Sequence, residues 1–445
     1  MTWRPPPAAW TALAAFACCA WLFWPGYVSF DTAHQWYQVR HGQFSDHHPP
    51  LMALLWRGTE PLLPGPAGPL LVQLALWWTA IALAAASVFG RARSQVAAVL
   101  LAGAAPPLFG LLGHVWKDVL LMAVLALAAA LMLADAGRTR ARRGPLLAAA
   151  GCLLAVAALR HNGLAAALPL LPWLIWRGSA GRLRGLGLLV PTLAATLVLA
   201  VLAQLPARHP AVQRVEFWPT LALWDLAAVS LATGAMQVPV TLRKGEVAVE
   251  DLRPHFRPDN NVPLFAPGLF KLSLLEPYDE AERQALRQAW LALPWRAPGA
   301  YWGHRWRLAR IQLGLPPAGL GPPQAFSPGH VALADNPPLA IPEDPVRQGL
   351  ARILAAAAGH PLVAPWPWLL AAMVLAVVFW RRRARDPRAW LGLALVGSAW
   401  AYALPLAALA ASAELRYLGP SLALVALAGM VALAPATTRT GRARP

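Results

Sequence analysis

The stretch FDTAHQWYQVRHGQFSDHHPPL, residues 30–51, follows the first long apolar segment of the chain and guides the interpretation of the rest. Its ionisable side chains are Asp31, His34, Arg40, His41, Asp46, His47 and His48. Ionisable groups beside a hydrophobic span are costly, so a membrane protein that keeps them there generally uses them. The stretch is therefore a candidate functional site, and the alternative is an ordinary solvated loop.

The composition predicts an all-α polytopic membrane protein. Of 445 residues, 58% are hydrophobic and 13% are charged, and the apolar runs approach the roughly 20 residues that cross a bilayer. The first run resembles a signal peptide in length but lacks a small-x-small cleavage site, so we expect a retained helix. The cysteines, Cys18, Cys19 and Cys152, lie in apolar segments; we expect neither a disulfide framework nor a zinc–cysteine site.

The net charge of +18 reports membrane topology rather than nucleic-acid binding. We predict about ten spans, at 8–28, 67–89, 94–112, 116–134, 145–159, 163–176, 186–205, 364–380, 389–411 and 417–435. This arrangement puts the basic clusters on one side: Arg4; Arg91 and Arg93; Arg138, Arg140, Arg142 and Arg143; Arg177, Arg182 and Arg184; Arg381, Arg382, Arg383, Arg385 and Arg388; and Arg439, Arg442 and Arg444. By the positive-inside rule both termini are then cytoplasmic.

The same map divides the chain into three regions. Residues 1–206 form an N-terminal transmembrane bundle with the first external loop at 29–66, residues 207–363 form a large external segment, and residues 364–445 form the last spans and a cytoplasmic tail. Within the external segment we predict a helix at 279–293 and a helix lying at the membrane surface at 301–313.

Three basic residues at span ends share the predicted outer face with Asp31. Lys117 lies in HVWKDVLL, Arg160 in LRHNGL and Arg416 in AELRYLGP. Each one alone is typical of an anchor that extends to the membrane interface. Together they are suited to a phosphate or pyrophosphate on a lipid carrier. His114 and Asp118, four residues apart, are expected to cap a span.

The order of residues in the first external loop resembles a known family. Asp31, His34, Gly42 and the Asp-x-His-Pro-Pro-Leu run from Asp46 are similar to the corresponding loop of the protein O-mannosyltransferases and their bacterial relatives, including the lipid A aminoarabinose transferases. Arg416, Tyr417 and Pro420 resemble a late-span motif of the same GT-C superfamily. WKDVLL, RHNG and LWDLAAVS are similar to a bacterial branch assigned as glycosyltransferase-like by resemblance alone.

The resemblance implies a GT-C-like transmembrane bundle in a bacterial inner membrane, with its active site on the periplasmic or extracellular face. It implies a polyprenyl-phosphate-sugar donor and a lipid, glycan or protein acceptor. The mannosyltransferases have Glu where this chain has Thr32, at a position that helps to arrange their acceptor. The external segment also differs from the soluble domains of the family, so the acceptor stays open.

The residues suffice for glycosyl transfer. A glycosyl phosphate carries a good leaving group, so the reaction needs charge stabilisation and one base, whereas a glycosidase needs a second carboxyl group. We predict that Asp31 is the general base of an inverting transfer and that Lys117, Arg160 and Arg416 stabilise the phosphate. Asp46 is expected to orient His48 or Lys117. The predicted substrate-binding residues are His34, Asp46, His48, Lys117, Arg160, Arg416 and Tyr417.

Other functions remain open from the sequence. The loop histidines and aspartates could hold a divalent metal, but their spacing is not diagnostic, so no cofactor is predicted. A transporter or flippase of a lipid-linked or anionic solute would also use cations and an isolated acid, although no inverted repeat is visible. The sequence has no Walker loop, so an ATP-driven pump is not predicted. A membrane acyl- or phosphotransferase is the third alternative.

Overall fold

A computed structural model describes residues 5–271, 278–323, 326–333 and 335–434. Arg4, Arg439, Arg442 and Arg444 lie outside these residues, so the location of both termini remains a prediction. The described chain is mostly helical and has almost no strand.

The helices of the N-terminal bundle alternate between long apolar rods and short connecting pieces. They are α1 Pro7–Phe23, α2 Phe30–His41, α3 Leu51–Thr59, α4 Ala67–Val88, α5 Ala92–Gly103, α6 Pro106–Phe109, α7 Lys117–Ala136, α8 Arg143–Leu159, α9 Gly163–Ala167, α10 Leu171–Gly178 and α11 Leu189–Ala203. The predicted loop at 30–51 is thus largely helical. In α2 the buried positions Thr32, Ala33, Trp36 and Val39 follow one helical face, a pattern that the surrounding polar residues obscure.

The remaining helices follow in two groups. Those of the predicted external segment are α12 Trp218–Thr233, α13 Val249–Leu252, α14 Glu280–Arg296, α15 Pro298–Gln312 and α16 Pro345–Ala357, and the last three are α17 Pro365–Arg382, α18 Arg388–Leu409 and α19 Leu415–Leu433. Two short strands, β1 Phe44–Ser45 and β2 Val212–Gln213, pair in parallel, with Phe44 opposite Val212. This pairing fastens the segment between α2 and α3 to the start of the predicted external segment.

The multi-pass character of the chain is evident in five helices, among the described residues, that are long and apolar enough to cross a membrane: Ala67–Val88, Lys117–Ala136, Gly185–Arg208, Arg388–Leu409 and Leu415–Leu433. A sixth candidate is the pair Ala92–Gly103 and Pro106–Gly113, which is bent by 57°. Pro7–Phe23 and Arg143–Leu159 are apolar but shorter. The predicted span at 163–176 is divided between α9 and α10, so the count of ten stays a prediction.

Helix α7 lies at the centre of the bundle and determines where the polar residues meet. It is apolar and buried around most of its circumference, as expected for a core helix, and it packs against α4, α8 and α19. Because its first two residues are Lys117 and Asp118, the central helix begins with an ammonium and a carboxylate. Both side chains are buried at one end of the bundle.

The two helices predicted between residues 207 and 363 are present as α14 and α15, and the position of α15 at a membrane surface stays a prediction. Asp279 caps α14 by accepting the backbone N–H of Glu282 at 2.8 Å. In α15, Trp302 and Trp306 are exposed, whereas His304 and Arg305 are buried. The side chains of His304 and Arg305 are buried because they pair with the carboxylate of Asp225 on α12.

Candidate active site

Asp31 stands in the first turn of α2, where the helix dipole favours a carboxylate. The hydroxyl of Thr32 donates to the carbonyl of Val115 at 2.8 Å, and Trp116 Nε1 donates to Ser29 Oγ at 2.8 Å. These bonds fasten the start of α2 to the segment before α7. Thr32 is fully buried, so the position at which this chain departs from the mannosyltransferases anchors the helix here and is not open to a substrate.

The segment after α2 is folded by its turn residues. Gly42 ends the helix with a φ of 67°, a conformation that a residue with a Cβ rarely adopts. Asp46 Oδ1 then accepts the backbone N–H groups of Val215 at 2.6 Å and Glu216 at 3.1 Å. The Oδ1 atom of Asp46 thus fastens the start of the predicted external segment, and the residue lines the site. Its role in orienting His48 or Lys117 stays a prediction.

His48 lies between Asp31 and Lys117. Its Nδ1 atom contacts Lys117 Nζ, and its Nε2 atom is 3.6 Å from Asp31 Oδ1. An ammonium can only donate, so Nδ1 acts as acceptor and the proton of the neutral ring is assigned to Nε2, on the side of the carboxylate. Burial and the Lys117 ammonium hold the pKa of His48 well below its usual value of 6.5, which keeps the ring neutral.

Arg416, in the first turn of α19, contacts Asp31 from the other side. Its Nη2 atom donates to Asp31 Oδ2 at 2.8 Å and to Glu414 Oε1 at 3.1 Å, and its Nε atom is 2.5 Å from Glu414 Oε2. The guanidinium also lies over the Trp116 ring, 4.6 Å from its centroid. Arg416 is thus almost fully buried between two carboxylates and an aromatic face.

Arg160 reaches the cluster from the turn between α8 and α9. This turn is tight, because a Cβ on Gly163 would lie 2.0 Å from the carbonyl oxygen of Val156. The guanidinium forms an ion pair with Asp118 and stacks over the ring of Tyr417, 4.2 Å from its centroid. Asp118 Oδ2 is also 4.0 Å from Arg416 Nε, so one fully buried carboxylate lies beside two arginines.

The charges of the acid–cation cluster are balanced but unevenly shared. Its six charged members are Asp31, Lys117, Asp118, Arg160, Glu414 and Arg416. Within the described part of the chain, both arginines form ion pairs with carboxylates, whereas Lys117 forms no ion pair and its hydrogen-bond partner is His48. Burial raises the pKa of Asp31, but Arg416, His48 and Lys117 outweigh that effect and hold it well below 3.8. Asp31 is therefore ionised at neutral pH.

Two cavities meet at Asp31. The first, of ≈ 670 Å³, has Asp31, His48, Lys117 and Arg160 at its polar end. Its other walls are mainly apolar: Leu164, Ala165, Leu168, Phe217, Trp218, Leu221, Trp290, Pro405, Leu406, Leu409, Ala410 and Ala411. The second, of ≈ 520 Å³, shares Asp31, His48 and Tyr417 with the first. Its polar lining includes His34, Asn260, Asn261, Ser327 and Glu414.

A buried polar group ties the predicted external segment to the residues that precede Arg416. Asp225 accepts from Trp290 Nε1 at 2.7 Å and pairs with Arg305, whose Nη1 donates to the carbonyl of Ala410 at 2.8 Å. The backbone N–H of Asn261 donates to Ala411 and that of Ala413 donates to Asp259, at 3.1 Å and 2.8 Å. The α18–α19 junction is thus supported from outside the bundle.

Three of the four loop histidines, His34, His47 and His48, line the second cavity, and the rings of His47 and His48 are 4.8 Å apart. His41 stacks on Tyr37, His47 packs against Phe217, and His34 lines the second cavity with an unpartnered Nδ1. Among the described residues no group of three His, Cys, Asp or Glu side chains could hold a metal ion. Independence from a metal remains a prediction that only an assay can test.

Six of the eight residues singled out from the sequence come together around Asp31: Asp31 itself, His48, Lys117, Arg160, Arg416 and Tyr417. His34 lies one helical turn from Asp31, and Asp46 is held by backbone groups. The sequence reading missed Glu414 as a partner of Arg416 and gave Asp118 only a capping role. Asp118 follows Lys117 directly and Glu414 lies two residues before Arg416. This closeness in sequence to a selected cation was the signal that could have identified them.

Comparisons with known proteins give one similarity. No family model matches the chain and no curated protein matches it. Among solved structures, the chain is similar to the crystal structure of ArnT from Cupriavidus metallidurans bound to undecaprenyl phosphate, with 15% sequence identity, 93% of this chain and 76% of that chain covered, and a TM-score of 0.33. ArnT is of the class that the first-loop motif resembles. At this TM-score the proposals below depend on the chain's own residues.

Proposed function

We propose that this protein is a membrane glycosyltransferase that moves a sugar from a polyprenyl-phosphate donor to an acceptor, with Asp31 as the general base. The observation that carries the proposal is the position of Asp31: its carboxylate is at the meeting point of two cavities, pairs with Arg416 and shares the first cavity with Lys117 and Arg160. One carboxylate with several cations is the minimal equipment for a reaction whose leaving group is a phosphate.

The first cavity is suited to the donor. Its apolar walls could take the first units of a polyprenyl chain, while Lys117 and Arg160 stand at the polar end where the phosphate would lie. Lys117 is the better first contact because it has no carboxylate partner among the described residues. An incoming phosphate would therefore gain one cation without breaking an ion pair.

In the reaction, an acceptor oxygen or nitrogen attacks the anomeric carbon as the carbon–oxygen bond to the phosphate breaks. The electron pair of that bond passes to the phosphate oxygen, so the leaving group gains one negative charge, which Lys117, Arg160 and Arg416 would stabilise. The acceptor proton passes to Asp31. The products are the glycosylated acceptor and polyprenyl phosphate, and attack opposite the leaving group gives inversion.

Donor binding would also activate the base. In the present arrangement Arg416 donates to Asp31 and lowers its pKa. A phosphate that draws the guanidinium towards itself would remove part of that stabilisation, and the proton affinity of Asp31 would rise while the substrate is bound. His48 would remain beside the carboxylate as a neutral hydrogen-bond donor.

The second cavity is suited to the acceptor. Its lining offers amide, hydroxyl and carboxylate groups from Asn260, Asn261, Ser327 and Glu414, and such groups recognise polyols and amines by hydrogen bonds. We therefore propose that the acceptor presents a hydrophilic moiety at this cavity, whether or not a lipid carries that moiety.

The test is a turnover assay with purified protein and a polyprenyl-phosphate sugar labelled in the sugar. The proposal expects release of unlabelled polyprenyl phosphate and label in an acceptor from a membrane extract. The Lys117→Met variant should raise the KM for the donor, whereas Arg91→Met, which removes a charge from the opposite predicted face, should not.

The same assay distinguishes the alternative function. A transporter or flippase in proteoliposomes would move the labelled donor across the membrane and leave its sugar–phosphate bond intact. Intact donor in both compartments, with no polyprenyl phosphate formed in any extract, would overturn the glycosyltransferase proposal.

A further inference from the structure

A basic cavity lies at the far end of α7 and α8 from the acid–cation cluster. It has a volume of ≈ 910 Å³ and is lined by arginines from the α7–α8 connection and from the segment before α11, with leucine side chains between them. The arginines are Arg140, Arg143 and Arg182, together with Arg177. None of these residues takes part in the proposed reaction.

The cavity is separated from the cluster by the length of a membrane-spanning helix. Helix α7 has 20 residues, which at 1.5 Å per residue give about 30 Å, close to the thickness of a bilayer's hydrocarbon core. Lys117 stands at one end of that helix and the connection to Arg140 follows the other. A ligand in the basic cavity would thus lie in the opposite leaflet from the proposed donor.

Three of the four arginines are available to a ligand. Arg177 is engaged, since its Nε is 2.5 Å from Asp135 Oδ2 and its Nη2 donates to the carbonyl of Arg138 at 2.6 Å. Arg140, Arg143 and Arg182 are exposed and form no ion pair within the described residues. Topology requires positive charge on this face, but it does not require that the charges surround a cavity.

The walls indicate what kind of anion fits. Leu146 and Leu147 of α8, Leu174 and Ile175 of α10, and Leu183 all line the cavity. A free inorganic phosphate would leave these side chains uncovered, whereas the acyl chains of a lipid would cover them. Guanidinium groups pair with phosphate through two parallel hydrogen bonds.

We propose that this cavity binds an anionic diacyl phospholipid, with the phosphate held by Arg140, Arg143 and Arg182 and the chains packed on the leucine side chains. Basic pockets between transmembrane helices on the cytoplasmic side bind lipid headgroups in this way. The proposal concerns lipid binding alone and does not depend on the proposed glycosyl transfer.

The test is retention of added lipid by the full-length protein in detergent, measured by native mass spectrometry with phosphatidylglycerol and phosphatidylcholine as the probes. The wild type should retain phosphatidylglycerol preferentially. The variant R140Q/R143Q/R182Q should weaken that retention roughly 100-fold, since each basic residue near a charged lipid surface contributes about fivefold. The matched control R91Q/R93Q/R385Q removes three exposed arginines from the same predicted face and should leave retention unchanged.

A second variant tests the cavity separately from its charge. Ala150→Trp fills the apolar part of the cavity and keeps every arginine, and it should lower phosphatidylglycerol retention at least tenfold. Three results would each overturn the proposal. They are equal losses of phosphatidylglycerol retention in the two triple variants, full retention by Ala150→Trp, and displacement of the lipid by an equal concentration of inorganic phosphate.

Discussion

Replacing Asp31 with Asn tests whether this carboxylate is a base or only a partner for Arg416. The asparagine keeps the shape of the side chain and an oxygen that can accept from Arg416 Nη2, now at 2.8 Å, but it cannot take a proton. Loss of a general base typically costs 10²–10⁴-fold in rate, which corresponds to about 2.7–5.4 kcal/mol of barrier. We expect kcat to fall by at least about 10²-fold.

Glu414 provides the matched control because it places the same charge on the same guanidinium, at 2.5 Å and 3.1 Å. Glu414→Gln removes one negative charge beside Arg416 and leaves the base in place, so its kcat should stay within about tenfold of the wild type, or about 1.4 kcal/mol. Asp31→Asn should bind polyprenyl phosphate at least as tightly as the wild type, because Arg416 has lost an internal competitor.

The assay measures initial rates with labelled donor over a range of concentrations, so that kcat and KM are obtained separately, and binding of polyprenyl phosphate is measured without acceptor. Equal losses of kcat in Asp31→Asn and Glu414→Gln would show that both acids act only through Arg416. Loss of polyprenyl phosphate binding by Asp31→Asn would equally refute the reasoning, since the carboxylate would then be needed to hold the site together.

Three other predictions concern pH, the external segment and metals. Burial, together with Lys117, lowers the pKa of His47 to about 4 from its usual 6.5. As pH falls, the His47 side chain is therefore protonated in the unfolded chain before it is protonated in the folded protein. The folded protein then loses up to about 3 kcal/mol of the stability that it has above pH 6.5, as pH falls towards 4. Thermal unfolding in nanodiscs should show a smaller loss in His47→Asn. Arg305→Met leaves the buried Asp225 carboxylate without its ion-pair partner and should destabilise the protein by about 3–5 kcal/mol. The double variant with Asp225→Leu should recover much of this lost stability in the same unfolding measurement. Additive losses of stability would contradict the pairing. Turnover should survive thorough chelation with EDTA, and a loss that Mg²⁺ or Mn²⁺ restores would require a metal in the mechanism.

The site residues that could be identified from the sequence are those whose place beside an apolar span costs free energy. An ionisable group next to an apolar span is conspicuous in any membrane protein, so Asp31, Lys117, Arg160 and Arg416 could be selected without coordinates. Their convergence could only be hypothesised, because it depends on how α2, α7, α8 and α19 pack together. The structure brings these four residues into one cluster.

Long-range pairing accounts for what the sequence did not reveal. His304 and Arg305 are in a helix whose local pattern indicates a membrane surface, but their partner, Asp225, lies some eighty residues earlier in the chain. The role of Asp46 was hidden for the same reason, since its carboxylate accepts backbone groups of Val215 and Glu216. Neither contact leaves a periodic signal near the residue concerned.

The shortness of α8 has a consequence for the surrounding membrane. Its 17 residues span about 26 Å, roughly 4 Å less than a typical hydrocarbon core. If α8 crosses the bilayer, as the sequence predicts for residues 145–159, the lipids beside it would have to compress to keep the exposed Arg143 guanidinium at its start hydrated. The protein would then work best in a thin bilayer, and lengthening the acyl chains of a reconstituted membrane would strain the turn that carries Arg160.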